Sequence, residues 1–214
     1  MERIARSDPQ HVSFDDLSEY HCAAKGDCAG EDLTFLLPRT LEVVASGSDL
    51  KSAGLFALFA RYFPPMWERL DDRERDALRV YCRELMLWRL TADPSITWDY
   101  GPFEVLEMTA SGGLDVDAVL DVLSDPPETL SAVETIIDLV LNHFDLWGDG
   151  RGLYGVNDRR SQHVYRRLRD IISSSKTLTL LECIALEDGD VGRAERASLA
   201  HQIAEYEAKK RRPG

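Results

Sequence analysis

Apolar residues recur along this chain at intervals of three or four and rarely at intervals of two, the spacing of helical faces and not of half-buried strands. Phe14, Leu17 and Tyr20, with Cys22 or Ala24, predict a short helix after Ser13, closed by Gly26. From Glu31, the positions Leu33, Leu36, Leu37, Leu41 and Val44 predict a second, with Gly47 past its end. Pro38 lacks the N–H that would bond Thr34 and crowds that turn. The expectation is a kink, or a turn followed by a helix beginning near Pro38. Asp49 is placed to cap a helix through Leu55, Leu58, Phe59 and Tyr62, stopped by Pro64 and Pro65.

The most regular segment is 71–92, where Asp71 is the expected cap. Leu78, Tyr81, Leu85 and Trp88 form a stripe at i, i+3, i+7 and i+10, and all four, Trp88 included, are expected to face the core. A loop over 93–102 precedes short helices at 102–111 and 115–124. A longer helix starting at Pro126-Pro127 carries Val133, Ile136 or Ile137, Val140, Leu141 and Phe144, and ends at the glycines of 148–152. Three more are expected near 158–173, 176–187 and 191–210, the last bearing Leu199, Ile203 and Tyr206. No Asn-Gly or Asp-Gly turn is flanked by alternating β-branched residues. The fold class expected is therefore all-α: an irregular helical bundle or a HEAT-like array of helical hairpins, without a fixed-period repeat. One domain over 1–214 is expected, with a basic tail fraying from about 209.

Composition supports a packed chain, since hydrophobic residues make up 44% and charged residues 29%, too apolar for disorder. The charged N-terminus has no signal-like apolar run, and the most apolar stretch, 178–186, is broken by Glu182, so neither secretion nor membrane insertion is expected. Cys22, Cys28, Cys82 and Cys183 show no regular spacing, which predicts reduced thiols in the cytoplasm. The Cys22-x5-Cys28 spacing beside His21 is wider than a zinc knuckle and has no second pair, so no metal and no cofactor is expected.

Charge changes the picture more. Residues 1–150 hold 12 Lys and Arg against 29 Asp and Glu, while 151–214 hold 13 against 9, within a net charge of -13. An acidic body argues against nucleic acid, whose phosphates need a basic face, and favours a basic protein partner.

Tyr20, Phe35, Leu37, Pro38, Arg39, Leu41 and Glu42 lie in a segment that, with the tryptophan-bearing turn 66–78, resembles a group of uncharacterised bacterial helical proteins. There a short helix with a tyrosine precedes a Phe-Leu-x-Pro-Arg-like turn and a Leu-Glu helix. The resemblance covers about 14–92 and implies an all-helical bacterial protein, with no activity attached.

Several constellations are candidates for chemistry. Arg39 and Glu42 place a guanidinium at a turn, to grip a carboxylate or carbonyl or to pack two helices together; the packing role is the expected one. Trp98 and Tyr100, with Phe103, lie in a Pro/Gly loop and are the candidates for an exposed aromatic contact. Arg159, Arg160, His163, Arg166 and Arg167 form the one locally basic stretch: an anion-binding face, or a surface that meets the acidic body internally, the latter expected. Segment 145–152 fails as a calcium loop, because Trp147 and Val156 stand where oxygen ligands are needed. No nucleophile, zinc-protease or phosphate-loop motif is present.

The leading expectation is a non-enzymatic binding protein with an acidic helical surface: an inhibitor, adaptor or toxin-neutralising (immunity-type) protein. One alternative is a metal-dependent enzyme using Glu104, Glu107, Asp115 and Asp117. The other is a phosphate or small-ligand sensor using the 159–169 arginines.

Overall fold

The structure, a computed structural model, describes residues 8–23, 29–48, 59–60, 63–64, 66–67, 69–93, 100–143 and 158–210. Among these there is no strand. The chain is all-α: a 3-10 turn, Pro9–His11, then α1 (Phe14–Ala23), α2 (Ala29–Ala45), α3 (Asp72–Thr91), α4 (Pro102–Ser111), α5 (Val116–Ser124) and α6 (Leu130–Asp138). The last continues as a π turn, Leu139–His143, before α7 (Asp158–Ile172), α8 (Ser175–Glu187) and α9 (Val191–Lys210).

Polar residues set the ends. The Asp16 N–H donates to Ser13 Oγ at 3.1 Å, starting α1 where the sequence placed it. Asp71 and Glu74 form a reciprocal capping box at the head of α3, each carboxylate accepting the other's N–H at 2.8 Å. Past α2, Gly47 adopts φ 89° and its N–H bonds Val44 O at 2.9 Å, so a left-handed glycine closes the helix. Pro38 lies inside a continuous α2, which neither ends nor begins there. The expected helix from Asp49 falls largely on 49–58, outside the described residues.

Thr129, not the Pro-Pro pair, starts α6: its Oγ1 accepts the Ala132 N–H at 3.2 Å. The same hydroxyl donates to Leu90 O, and Ser131 Oγ donates to Ala92 O at 2.8 Å. Carbonyls at the end of α3, which lack helical donors, are thus satisfied by the first residues of α6, and the two helices are pinned in register.

The core-facing stripe of α3 is Leu78, Cys82, Leu85, Met86 and Leu90, whereas Trp88 is 45% exposed. Burial pushes the Cys82 thiol up to about 12, leaving it protonated and inert. On α9 too the buried face differs from the expected one. Leu199 and Tyr206 are exposed, and the buried face is Ala197, Ala200 and Ala204, small side chains that let α8 and α9 approach closely.

Helix α3 packs on α4, α5 and α6; α5 packs on α7, and α9 pairs with α8 and returns to α6 and the π turn. Helices that share one centre make an irregular bundle; in a solenoid each hairpin meets mainly its neighbours. Met86, Leu90, Leu106, Met108, Leu120 and Ile137 fill that centre. Phe59 and Phe63 stack at 4.5 Å beside it, and buried Gly112 admits Phe59 so closely that a Cβ would lie 3.3 Å from it. No helix among the described residues is long and apolar enough to cross a membrane.

Candidate interaction surface

Three residues of the basic stretch on α7, Arg160, His163 and Arg167, turn onto the chain's own acceptors. His163 Nε2 lies 2.9 and 3.0 Å from the two Asp117 oxygens, which requires its proton on Nε2. Arg167 reaches Asp117 at 3.3 Å and Asp121 at 2.7 Å. Arg160 donates to Leu114 O in the α4–α5 turn. Nearer the end of α7, Arg169 donates to Tyr165 Oη at 2.5 Å and lies 3.5 Å from buried Glu207 of α9, which also takes Lys210 at 3.0 Å. Lys176 of α8 bonds Asp125 at the end of α5. The pairs that α7 and α8 make with α5 are partly solvated and each is worth about 0–1 kcal/mol, so they fix helix register more than they stabilise the fold. Only Arg159 and Arg166 of the candidate anion-binding face are exposed without a polar partner among the described residues.

Arg39 joins the 3-10 segment to α2: its Nε donates to Val12 O at 3.0 Å and its NH1 to Glu42 Oε2 at 2.9 Å. The first bond ties residues 27 apart and the second lies within one turn of α2, so the guanidinium is used in packing the 3-10 segment on the helix. Tyr100 is not an exposed contact. It is 6% exposed and donates its hydroxyl to Val44 O, while Arg89 donates to the Tyr100 carbonyl at 2.7 Å and lies over its ring. Trp98 lies outside the described residues. The four carboxylates of the metal reading are used separately: Asp115 caps α5, Asp117 meets α7, and Glu104 accepts the Gly101 N–H at 2.9 Å. Glu107 lies one turn beyond Glu104; burial and that neighbour push its carboxyl up to about 7. Among the described residues no three His, Cys, Asp or Glu side chains gather to hold a metal ion.

A partly open cleft of about 150 Å³ lies between the start of α4, the end of α5 and the end of α6. Its apolar walls are Pro102, Phe103, Leu106, Leu123 and Leu139, and its polar side chains are Glu104, Thr135 and Asp138. Asp138 Oδ1 accepts from Arg196 at 2.5 Å and from Asn142 at 3.1 Å. Arg196 also reaches Glu134 at 2.7 Å, and Arg193 lies 3.8 Å from the same carboxylate. The cleft is smaller than the roughly 300–1,000 Å³ of a small-molecule site and suits one side chain.

Comparison with protein-family models, with curated proteins and with solved structures finds no match. Sequence reading did not reach Glu134, Asp138, Arg193 and Arg196. The signal available was weak: two acids four apart on one helix and two arginines three apart on another, separated by about sixty residues.

Proposed function

We propose that this chain is a non-enzymatic binding module whose acidic helical surface engages a basic protein partner, as an inhibitor, an adaptor or a toxin-neutralising protein does. The observation that carries the reading is how charge is spent. Cations of the C-terminal helices are turned onto the chain's own acceptors, at Arg160, His163, Arg167, Arg169, Lys176 and Arg196. Exposed carboxylates at Asp15, Glu19, Glu128, Glu182, Glu187 and Glu195 have no cation among the described residues. The field reaching a partner is negative, and such a field steers association and raises its rate.

The test is affinity capture from native lysate at low and moderate salt, read by mass spectrometry, with the Glu182→Gln, Glu187→Gln, Glu195→Gln variant in parallel. The expected result is one basic partner, weakened by salt and by the variant. A partner held equally by both proteins at both salts would refute the acidic-surface reading, as would a partner that is itself acidic.

A further inference from the structure

We propose that the α4–α5–α6 cleft is the anchor pocket for an arginine side chain of that basic partner. This inference rests on the reading of the chain as an acidic binding module, and adds where and how one cation is gripped.

The first argument is the donor and acceptor inventory of the cleft's side chains. Glu104 spends Oε2 on the Gly101 N–H, and Oε1 makes no hydrogen bond among the described residues. Asp138 receives both its donors on Oδ1, which leaves Oδ2 open. The Thr135 hydroxyl gives its hydrogen to Ser131 O at 2.7 Å and offers only lone pairs to the cleft. Among the described residues, every polar side chain lining the cleft has acceptors to spare and no free donor. A guanidinium is the complement, since it carries five donors and no acceptor.

The apolar walls form the second argument. Phe103, Leu106, Leu123 and Leu139 suit the methylene stem of an arginine, whose charged head remains at a polar rim. A bare metal ion or a phosphate gains nothing from such walls. The third argument is a precedent inside the molecule: Arg196 already lies on Glu134 and Asp138 at the cleft's edge, so this acidic pair holds a guanidinium in the folded chain. The positive end of α4 opposes a cation here, and Glu104 in its first turn offsets that end. The carboxyl of Glu107 beside Glu104 is raised first by burial and second by the Glu104 charge.

The experiment is amide NMR titration of the full chain with three probes of similar length: n-butylguanidinium, its neutral analogue n-butylurea, and pentanoate. The expected result is a set of shifts at Gly101–Leu106, Leu123, Thr135 and Leu139 with n-butylguanidinium, and binding by the other two on the order of tenfold weaker. Glu104→Gln retains an oxygen for the Gly101 N–H and should keep the fold while weakening the guanidinium probe on the order of tenfold. Glu205→Gln removes the same charge on the exposed face of α9, well beyond Arg196, and should leave binding of the guanidinium probe unchanged. Equal weakening by both variants, equal binding of n-butylurea, preferred binding of pentanoate, or no shifts at the cleft would each overturn the pocket. An oligo-arginine peptide separates the two readings. If it binds with salt dependence while the cleft stays silent, the pocket falls and the acidic-surface module stands; if it fails to bind, both fall.

Discussion

Tyr100→Phe removes the buried hydrogen bond to Val44 O and keeps the ring, which makes the cost of that bond calculable. The Tyr100 hydroxyl donates to Val44 O at the end of α2, across 56 residues of sequence. Val44 O also accepts the Gly47 N–H at 2.9 Å, so deleting the hydroxyl does not orphan the carbonyl. The loss is then that of an ordinary net hydrogen bond, about 1 kcal/mol, without the added penalty of an unsatisfied buried acceptor. In a chain of this length that is a fall of about 2–4 °C in Tm. Tyr100→Ala also empties the space of a buried ring and releases the face that Arg89 covers, for a total of about 3–5 kcal/mol. Urea and thermal unfolding followed by circular dichroism measure both. A Tyr100→Phe protein as stable as the parent, or a Tyr100→Ala protein no worse than Tyr100→Phe, would refute the clasp. Partner binding should survive Tyr100→Phe; its loss at unchanged Tm would return the residue to the surface role that the sequence suggested.

Three further outcomes are expected. Asp71→Ala removes the N-cap of α3 and its half of the capping box, and should cost about 1 kcal/mol in urea unfolding, with little more lost on adding Glu74→Ala. Glu107 is held at about 7 in the fold against 4.5 ordinarily, so the folded chain binds more protons between those values and stability should fall as pH rises through that window. Glu107→Gln should remove that slope, a difference of about 1–2 kcal/mol at higher pH once solvent screening of a half-buried carboxyl is allowed for, read from urea midpoints on either side of neutrality. Asp188 behaves oppositely: hydrogen bonds from Arg193 and from the Asp190 N–H hold it at about 2, so its contribution is present above 3.8 and lost as pH falls towards 2. Asp188→Asn should flatten the acid limb of the unfolding curve.

Helix positions were legible wherever a chemical stop or start stood beside an apolar period. Asp71 caps α3 as its position predicts, and α4, α5, α7, α8 and α9 begin and end within a residue or two of the sequence reading. What escaped was decided by distant partners. On α3 the stripe through Tyr81 and Trp88 and the stripe through Cys82 and Met86 are adjacent on one helix surface. Choosing between them depends on where α4, α5 and α6 lie, and the large Trp88 ends at the edge. On α9 the alanines read as good helix formers, yet closeness to α8 selects them for the buried face over the bulkier Leu199 and Tyr206. The α5–α7 pairs join residues 46 apart, and no local spacing announces them. The basic stretch itself was visible as a charge run, and so was the option that it turns inward.

The seams that hold α7–α9 to the rest of the chain have a common polarity. At His163 with Asp117, Arg167 with Asp121, Lys176 with Asp125, and Arg193 and Arg196 with Glu134, the cation comes from the later segment and the anion from the earlier one. A chain severed within 144–157 is therefore two oppositely charged pieces with complementary surfaces, and such pieces should reassemble without a covalent link, faster as ionic strength falls. Reversing the sign of every pair would yield a second matched set, and mixing one original piece with one reversed piece would place like charges across each seam. The arrangement thus supplies a split protein whose halves distinguish their own mates from those of the reversed version.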